Sequence, residues 1–352
     1  HGFIGTTAGQ VRDLSRELDR EPADVLVADS MSFGGALTGE LRGLPWAMVN
    51  VLPFNQGFSY APPGFRVQAA YGRLGRQRDR LLWLGYRAAT SPFQRAYNRA
   101  RSEVGLAPDR RPYGRALYSD WLVLATGCPS LDVPRLDLPE QVHFVGRLDP
   151  AGAALPVAAT AEGASPRPLV VVTQGTHDVI AADLIQPSLQ GLADLEVDVI
   201  ATSGRRGLTE VGVDPPANAR VVDLIDFASV LPAAAVFVTN GGWGGVLASL
   251  AAGLPVVVAP GAAADKPEVA ARVASAGVGI NLGTRRPAPG AVADAVRQVL
   301  ADPRFAERAR EIGAELNQLG GAGTAADLVE RLAATRARVK AKGNPWAGDE
   351  TD

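Results

Sequence analysis

The stretch VFVTNGGWGGVLASLAAGLPVVVAPGAAADK, residues 236–266, decides the fold. It opens with a short β-branched run, Val236–Val238, which is typical of a buried strand. Four glycines follow at positions 241, 242, 244 and 245. The run 246–252 then predicts a helix that ends at Gly253, and Val256–Ala259 predicts a second buried strand. The stretch therefore predicts a βαβ unit with a glycine-rich first turn.

This glycine-rich turn is a candidate anion site. Free backbone N–H groups and the positive end of a helix dipole meet at such a turn, so a phosphate is the natural ligand. The glycines have a second possible role, because they also let a helix pack closely on a sheet. The residues of the turn alone leave both interpretations open.

Size and composition exclude several classes of protein. The chain has 352 residues, of which 47% are hydrophobic and 20% charged, which suits a globular protein of two domains. A net charge of −2 gives no indication of nucleic acid or an anionic membrane surface as a partner. Cys128 is the single cysteine, and His1, His143 and His177 are widely spaced, so no metal site is expected.

Targeting signals are absent from the sequence as it stands. No apolar run approaches the roughly 20 residues that span a bilayer, and no signal-peptide pattern opens the chain. We therefore expect a cytoplasmic protein without stable membrane insertion. The chain begins with His1 rather than Met, so its true start is missing, processed or not recorded.

The first part of the chain alternates predicted helices and strands, as a doubly wound α/β sheet does. Helices are predicted over 7–20, 33–41 and within 68–105, and strands over 23–28, 45–51, 121–125 and 143–145. An aromatic-rich loop over 53–67 breaks this alternation. Its aromatic residues either pack on their own domain or line a pocket for an apolar ligand; they are Phe54, Phe58, Tyr60 and Phe65.

A Pro/Ala/Gly-rich segment, 148–168, predicts a linker between two domains. Strands are predicted after it at 169–173, 197–201 and 219–222. Helices are predicted at 180–193, 227–231, 267–276, 289–301, 303–318 and 323–337. The domains are thus predicted as 1–147, with an incomplete start, and 169–337. A polar tail over 338–352 with an isolated Trp346 is expected to be mobile.

The central stretch resembles the donor-binding signature of UDP-glycosyltransferases. The matching residues are TNGGWGG, then A-x-x-G-L-P-V-V-V, then D-K-P-E-V-A-A-R-V, with the spacing kept over about thirty residues. The resemblance is to the bacterial macrolide and natural-product branch. It implies the GT-B fold, in which two doubly wound Rossmann-like domains face each other across a cleft, here with an incomplete N-terminal domain.

This resemblance assigns roles to individual residues. The base of the nucleotide would lie against Ile225 and Phe227, and the hydroxyls of the sugar would bind Asp265 and Lys266. A cap of the following helix is the simpler role for Asp265. The remaining donor-binding candidates surround the diphosphate: Gln174, Gly175, Thr176, Ser203, Asn240, Gly241, Gly242, Trp243, Gly244 and Gly245. The turn at 174–176 could equally be a plain connector.

Four positions depart from the family pattern. Asn240 replaces a histidine that contacts phosphate, but its amide can still donate one hydrogen bond. Ala248 replaces a ribose-binding acid and Lys266 replaces a glutamine, while Asp226 takes the place of a proline. These departures put affinity and nucleotide choice in doubt.

Asp29 closes the first predicted strand, where the family has an aspartate that orients a catalytic histidine. That histidine, which would remove the proton of the acceptor hydroxyl, has no counterpart in this sequence. Asp29 could alternatively cap a helix. We therefore expect the 352-residue chain to bind the donor and to be inactive in transfer until an upstream segment is restored.

The resemblance predicts an inverting glycosyltransferase that moves a sugar from a UDP- or dTDP-sugar to a hydroxyl of an apolar small molecule. It implies no cofactor and no metal, because the nucleotide sugar is a co-substrate; a homodimer is possible. Two alternatives remain at this point. One is a sugar-nucleotide epimerase, and the other is a non-catalytic, degenerate partner of an active transferase.

Overall fold

A computed structural model describes residues 2–55, 72–135, 137–148, 167–176, 180–262 and 265–347. The chain forms two compact units. The first comprises residues 1–129, 133–148 and 319–352, and the second comprises residues 130–132 and 149–318. In the described part of the chain, no helix is long and apolar enough to cross a membrane.

The first unit is built on a four-stranded parallel sheet of order β1-β2-β3-β4. The inner strands, β2 and β3, are almost wholly apolar because helices cover both faces of the sheet. The elements that make up this part are α1 (Gly2–Gly5), α2 (Thr7–Arg20), β1 (Leu26–Asp29), α3 (Phe33–Arg42), β2 (Trp46–Asn50), α4 (Gly72–Glu103), α5 (Tyr113–Ala116), β3 (Leu122–Thr126) and β4 (Val142–Gly146).

The second unit has a six-stranded parallel sheet of order β10-β9-β8-β5-β6-β7. Its elements are β5 (Leu169–Thr173), α6 (Ile185–Leu192), β6 (Asp198–Thr202), β7 (Ala219–Val222), α7 (Phe227–Val230), β8 (Val236–Thr239), α8 (Trp243–Ala251), β9 (Val256–Val258), α9 (Lys266–Ser275), β10 (Gly279–Asn281), α10 (Pro289–Ala301) and α11 (Pro303–Gln318). From β5 the chain adds β6 and β7 on one side of this strand. It then crosses over and adds β8, β9 and β10 on the other side. Ligands of open α/β sheets bind at such a reversal, outside the carboxyl ends of the strands.

The predicted alternation of helices and strands is confirmed, with local differences. Helix α6 begins at Ile185 rather than at residue 180, and the short α5 was not predicted. Helix α8 begins at Trp243, three residues before the predicted start, so the last two glycines belong to its first turn. Strand β10 was not predicted, because its three residues form no β-branched run. A Cβ at Gly279 would lie 1.8 Å from the carbonyl oxygen of Val256, so β10 pairs with β9 at a distance that only glycine permits.

The predicted domain boundary at residue 337 is wrong, because α12 (Gly321–Thr335) belongs to the first unit. Leu332 on α12 is fully buried against the same sheet face as Leu122 and Leu124. The described part of the predicted mobile tail, residues 338–347, packs against the first unit. Trp346 is buried and packs edge-on against Phe144, with ring centroids 5.9 Å apart. Most of the predicted linker, residues 149–166, lies outside the described residues.

Candidate functional site

Four loops meet at the carboxyl ends of β5, β6, β8 and β9. A Cβ on Gly204, after β6, would lie 2.3 Å from the carbonyl oxygen of Gly175, after β5. A Cβ on Gly175 would in turn lie 3.6 Å from the side-chain amide of Asn240, after β8. A Cβ on Gly241 would lie 3.3 Å from the carbonyl oxygen of Lys266, at the start of α9. The loops therefore form one continuous surface, which we call the strand-end site.

The N-terminus of α8 opens at the strand-end site. Gly242 precedes the helix in an extended conformation, and no side chain caps it. The N–H groups of Gly244 and Gly245, in the first helical turn, have no acceptor within the helix itself. Gly244 is exposed, and a Cβ built on it would have no neighbour within 4 Å. This arrangement offers bare N–H groups and the positive end of the helix dipole to an anion.

Asn240 joins two of these loops. Its side chain is 3% exposed, and its Nδ2 donates a hydrogen bond to the backbone carbonyl of Gln174. One N–H of this amide is thus used within the fold, and because the group has a second N–H, its donation to a phosphate stays a prediction. Its Oδ1 is buried and has no hydrogen-bond partner among the described residues.

Gln174 and Ser203 support the loops with their side chains rather than face a ligand. The amide of Gln174 donates to the carbonyl of Ile180 and accepts a hydrogen bond of 3.4 Å from the N–H of Ile185. The hydroxyl of Ser203 donates to the carbonyl of Leu208 over 2.6 Å. The prediction that these side chains bind a phosphate thus gives way to a positioning role. By contrast, Thr176 is exposed.

The predicted base-binding segment follows β7. Asp226 caps α7, because its carboxylate accepts hydrogen bonds from the N–H of Ala228 at 3.1 Å and the hydroxyl of Ser229 at 2.6 Å. This cap explains the Asp at a position where proline is usual. Phe227 is half-buried and meets Phe237 edge-on at 5.6 Å, while Ile225 is 9% exposed.

Asp223, also after β7, holds the loop that follows β6 through a hydrogen bond to its side chain. It accepts a hydrogen bond of 2.9 Å from the N–H of Gly207 and one of 2.7 Å from the N–H of Leu224. These bonds, led by that from Gly207, lower the pKa of Asp223, so the carboxylate stays ionised at neutral pH.

Asp265 stands immediately before α9, and its carboxylate does not cap the helix. The backbone carbonyl of Asp265 accepts the N–H groups of Glu268 and Val269, each at 3.0 Å. The half-buried carboxylate has no hydrogen-bond or ion-pair partner within the described ranges. The structure thus removes the capping alternative and leaves the carboxylate available to a ligand. Lys266 is buried, at 8% exposure.

Buried charges hold α9 in place. The guanidinium of Arg272 lies 2.8 Å from the carboxylate of Asp132 and 3.7 Å from that of Glu268, and all three side chains are nearly inaccessible. Asp132 lies between β3 and β4 in sequence but belongs to the second unit. Sequence reasoning missed this pairing, because no local pattern connects residues that are 140 positions apart.

Comparisons with known proteins agree with this architecture. Residues 186–332 match the family described as "Erythromycin biosynthesis protein CIII-like, C-terminal domain". The 4'-demethylrebeccamycin synthase of Lentzea aerocolonigenes is 37% identical over 337 residues, which cover 94% of this chain and 79% of that protein. The chain belongs to the natural-product glycosyltransferase family. A UDP-glucosyltransferase of Beauveria bassiana is 38% identical over 210 residues, or 58% of this chain and 44% of the relative.

Solved structures support the GT-B fold of this glycosyltransferase. The glycotransferase of kitacinnamycin has a TM-score of 0.72 at 22% identity, covering 94% of this chain and 81% of that one. The glycosyltransferase VinC, solved in complex with DTDP, has a TM-score of 0.67 at 22% identity, covering 94% and 79%. At this level of identity the likeness concerns the fold.

Asp29 of the glycosyltransferase lies at the carboxyl end of β1. Its carboxylate is exposed and accepts a hydrogen bond of 2.6 Å from the N–H of Met31. It does not cap α3, whose N-cap is Ser32. His143 is bonded through Nε2 to the carbonyl of Val339 at 3.1 Å, and burial lowers its pKa. His1 and His177 lie outside the described residues.

Phe54 needs a correction among the predicted acceptor residues. It is 1% exposed and packs edge-on against Tyr118 at 5.3 Å, with the guanidinium of Arg135 5.2 Å from its ring centroid. A ring buried in this way has no surface for a ligand, so the core alternative applies. The other three predicted residues, Phe58, Tyr60 and Phe65, lie outside the described residues.

The first unit contains a cavity of about 490 Å³ near the amino ends of β2 and β3. Trp46 and Trp121 line it, together with an ion pair in which Arg101 meets Glu40 at 2.6 Å. The hydrogen bond to Glu40 raises the pKa of Arg101. Because its walls lie at the amino ends of the strands, this cavity is not the acceptor pocket predicted from the loop 53–67, and Phe54 does not line it.

Within the described ranges, no group of three or more His, Cys, Asp or Glu side chains has an arrangement that could hold a metal ion. The N-terminus of α8 contributes a positive electrostatic potential at the strand-end site. This is a property of the backbone, which the sequence analysis located through the glycines.

Proposed function

We propose that this glycosyltransferase transfers a sugar from a UDP- or dTDP-sugar to a hydroxyl of an apolar natural product, with inversion at the anomeric carbon. One observation carries the donor half of this proposal. Four strand-end loops meet at the uncapped N-terminus of a nine-residue helix that is preceded by bare glycine backbone. A diphosphate is the group that matches this site.

The proposed chemistry assigns each group a task. The N–H groups at the start of α8 hold the diphosphate and stabilise the charge that grows on it as the bond to the sugar breaks. Asp265 accepts hydrogen bonds from hydroxyls of the sugar, because its carboxylate is not used for capping. Asp29 orients the group that takes the proton of the acceptor hydroxyl. No step of this scheme requires a metal ion or a cofactor.

The relatives support the choice of substrate class. One relative is named 4'-demethylrebeccamycin synthase, others are UDP-glucosyltransferases, and a zeaxanthin glucosyltransferase of Pantoea ananas is 27% identical over 342 residues. The structural neighbours include VinC in complex with DTDP and a spinosyn rhamnosyltransferase with its aglycone. From these we infer a nucleoside diphosphate sugar and an apolar acceptor for the present chain.

The test is a transfer assay with the purified protein. UDP-glucose and dTDP-glucose are offered with an acceptor panel that includes the sugar-free form of 4'-demethylrebeccamycin, zeaxanthin and simple phenols. Products are detected by mass spectrometry, and the anomeric configuration is determined by NMR. A β-linked product from the α-linked donor supports inversion, whereas an α-linked product overturns it. Donor binding with no transfer to any acceptor by the full-length protein supports instead a non-catalytic partner, the alternative that the altered residue at Asn240 favours.

A further inference from the structure

Asn240 carries a hydrogen-bond acceptor that the fold leaves unused. Its Nδ2 is bonded to the carbonyl of Gln174, and this bond fixes the orientation of the amide, since the reverse orientation would place two acceptors face to face. Oδ1 then points elsewhere, is buried, and has no partner within the described ranges. An unpaired buried acceptor is unfavourable, and one that borders a binding site can gain its donor from the ligand.

Two glycines of the strand-end site border this oxygen. A Cβ on Gly175 would be 3.6 Å from Oδ1, and a Cβ on Gly242 would be 3.8 Å from it. Both positions lack a side chain, so only backbone borders Oδ1 there. The oxygen therefore lies at the strand-end site, on the residue two positions before Gly242, the N-cap of α8.

The chemistry of the proposed donor identifies the missing partner. Both phosphates of a nucleotide sugar are ionised at neutral pH and carry no proton, so their oxygens are acceptors only and cannot pair with Oδ1. The diphosphate is attached to the anomeric carbon of the sugar. The first O–H group beyond it along the sugar is the hydroxyl on the neighbouring carbon, C2, and this group can donate.

We propose that Asn240 determines donor specificity by accepting a hydrogen bond from the C2 hydroxyl of the transferred sugar. This inference rests on the proposed function of the site. The site then favours donors that bear this hydroxyl over 2-deoxy sugars, because a 2-deoxy sugar leaves Oδ1 buried and unpaired. Sites built to bond a substrate hydroxyl reject the analogue that lacks it for this reason.

The test compares affinities measured by calorimetry at pH 8. The ligands are UDP, UDP-glucose and UDP-2-deoxyglucose, together with the corresponding dTDP compounds. The wild-type protein is expected to bind the glucose donor about tenfold more tightly than the 2-deoxy donor. Asn240→Ala is expected to reduce this ratio to about one. It should change the affinity for the free nucleoside diphosphate much less than the affinity for the glucose donor.

Asn218 supplies a matched control. Its Nδ2 also bonds backbone carbonyls, those of Leu192 at 2.9 Å and Val197 at 3.0 Å, and its Oδ1 is also buried without a partner. It precedes β7 and so lies at the amino end of the sheet, away from the strand-end site. Asn218→Ala should therefore lose stability in the same way and keep the tenfold ratio.

Each result of the calorimetry either supports or overturns the role of Asn240 in donor specificity. A wild-type ratio near one, with tight binding of both sugars, overturns the role of Asn240 and leaves the proposed function intact. Equal losses for all ligands in Asn240→Ala also overturn it, since they indicate only a supporting role for the loop. Failure of every nucleotide ligand to bind overturns the proposed function instead. If Asn240→Ala does not fold, the wild-type ratio alone decides.

Discussion

Replacing Gly244 by alanine should stabilise the protein and weaken its binding of the donor. Gly244 is the second residue of α8, is exposed, and has open space where a Cβ would be. Glycine costs a helix interior up to about 1 kcal/mol relative to alanine, which is an upper limit for a position in the first turn. For a unit of this size that corresponds to a rise of about 2–4 °C in Tm.

The loss of binding follows from the same open space. The added methyl group would stand beside the N–H groups of Gly244 and Gly245, where the diphosphate is proposed to lie. We expect at least a tenfold loss of affinity for UDP-glucose or dTDP-glucose, which is about 1.4 kcal/mol or more. Calorimetric titration measures the affinity, and thermal unfolding without ligand measures the stability.

Gly290→Ala is the matched control. Gly290 is also the second residue of a helix, α10, and a Cβ on it would also have no neighbour within 4 Å. Its first turn packs beside Gly191 of α6, apart from the strand-end loops. This variant should gain similar stability and bind the donor normally. If Gly244→Ala is equally stabilised and binds the donor with unchanged affinity, α8 does not hold the diphosphate and the reasoning fails.

Three further predictions concern other parts of the chain. Asp265→Ala should weaken binding of the nucleotide sugar about tenfold or more while sparing the free nucleoside diphosphate; equal losses in calorimetry would contradict a contact with the sugar. Trp346→Ala should lower the free energy of unfolding by about 3–5 kcal/mol, because the ring is buried. A loss below about 1 kcal/mol in denaturant titrations would instead favour the prediction that the tail is mobile. Because burial lowers the pKa of His143, the unfolded chain binds more protons there, so stability is complete above the ordinary value of 6.5 and declines as the pH falls below it. His143→Gln should reduce this slope in unfolding experiments between pH 8 and 5, and an unchanged slope would assign it to other groups.

Local periodicity explains how much of the fold could be predicted. Helices α10 and α11 coincide with their predicted limits, since each opens with a proline and keeps a regular apolar face. The start of α8 was placed too late because glycine is a poor helix former, although the first turn of a helix tolerates it. The position of α12 could not be predicted, since its apolar face fits either sheet and only packing on Leu122 and Leu124 selects one.

In the candidate site, features set by neighbouring residues could be predicted, whereas contacts between residues far apart in sequence could not. The glycines around Gly242 were visible as a motif, and the strand-end position of Asp265 followed from the alternation of elements. The partner of the Asn240 amide could not be predicted, because it is a backbone carbonyl 66 residues away. The burial of Phe54 likewise depends on Arg135 and Tyr118, which are distant in sequence.

Because α12 belongs to the first unit, the second unit is an insertion within the sequence of the first, rather than a C-terminal half. A chimera that exchanges sugar specificity between relatives should therefore have two junctions, near residues 148 and 318. A chimera with a single junction at the linker would take α12 from the relative but the four-stranded sheet from this chain. The residue of the relative that replaces Leu332 would then have to pack on a sheet from a different protein. The graft should also match Asp132 to Arg272, because an unmatched graft would bury a guanidinium without its counter-ion.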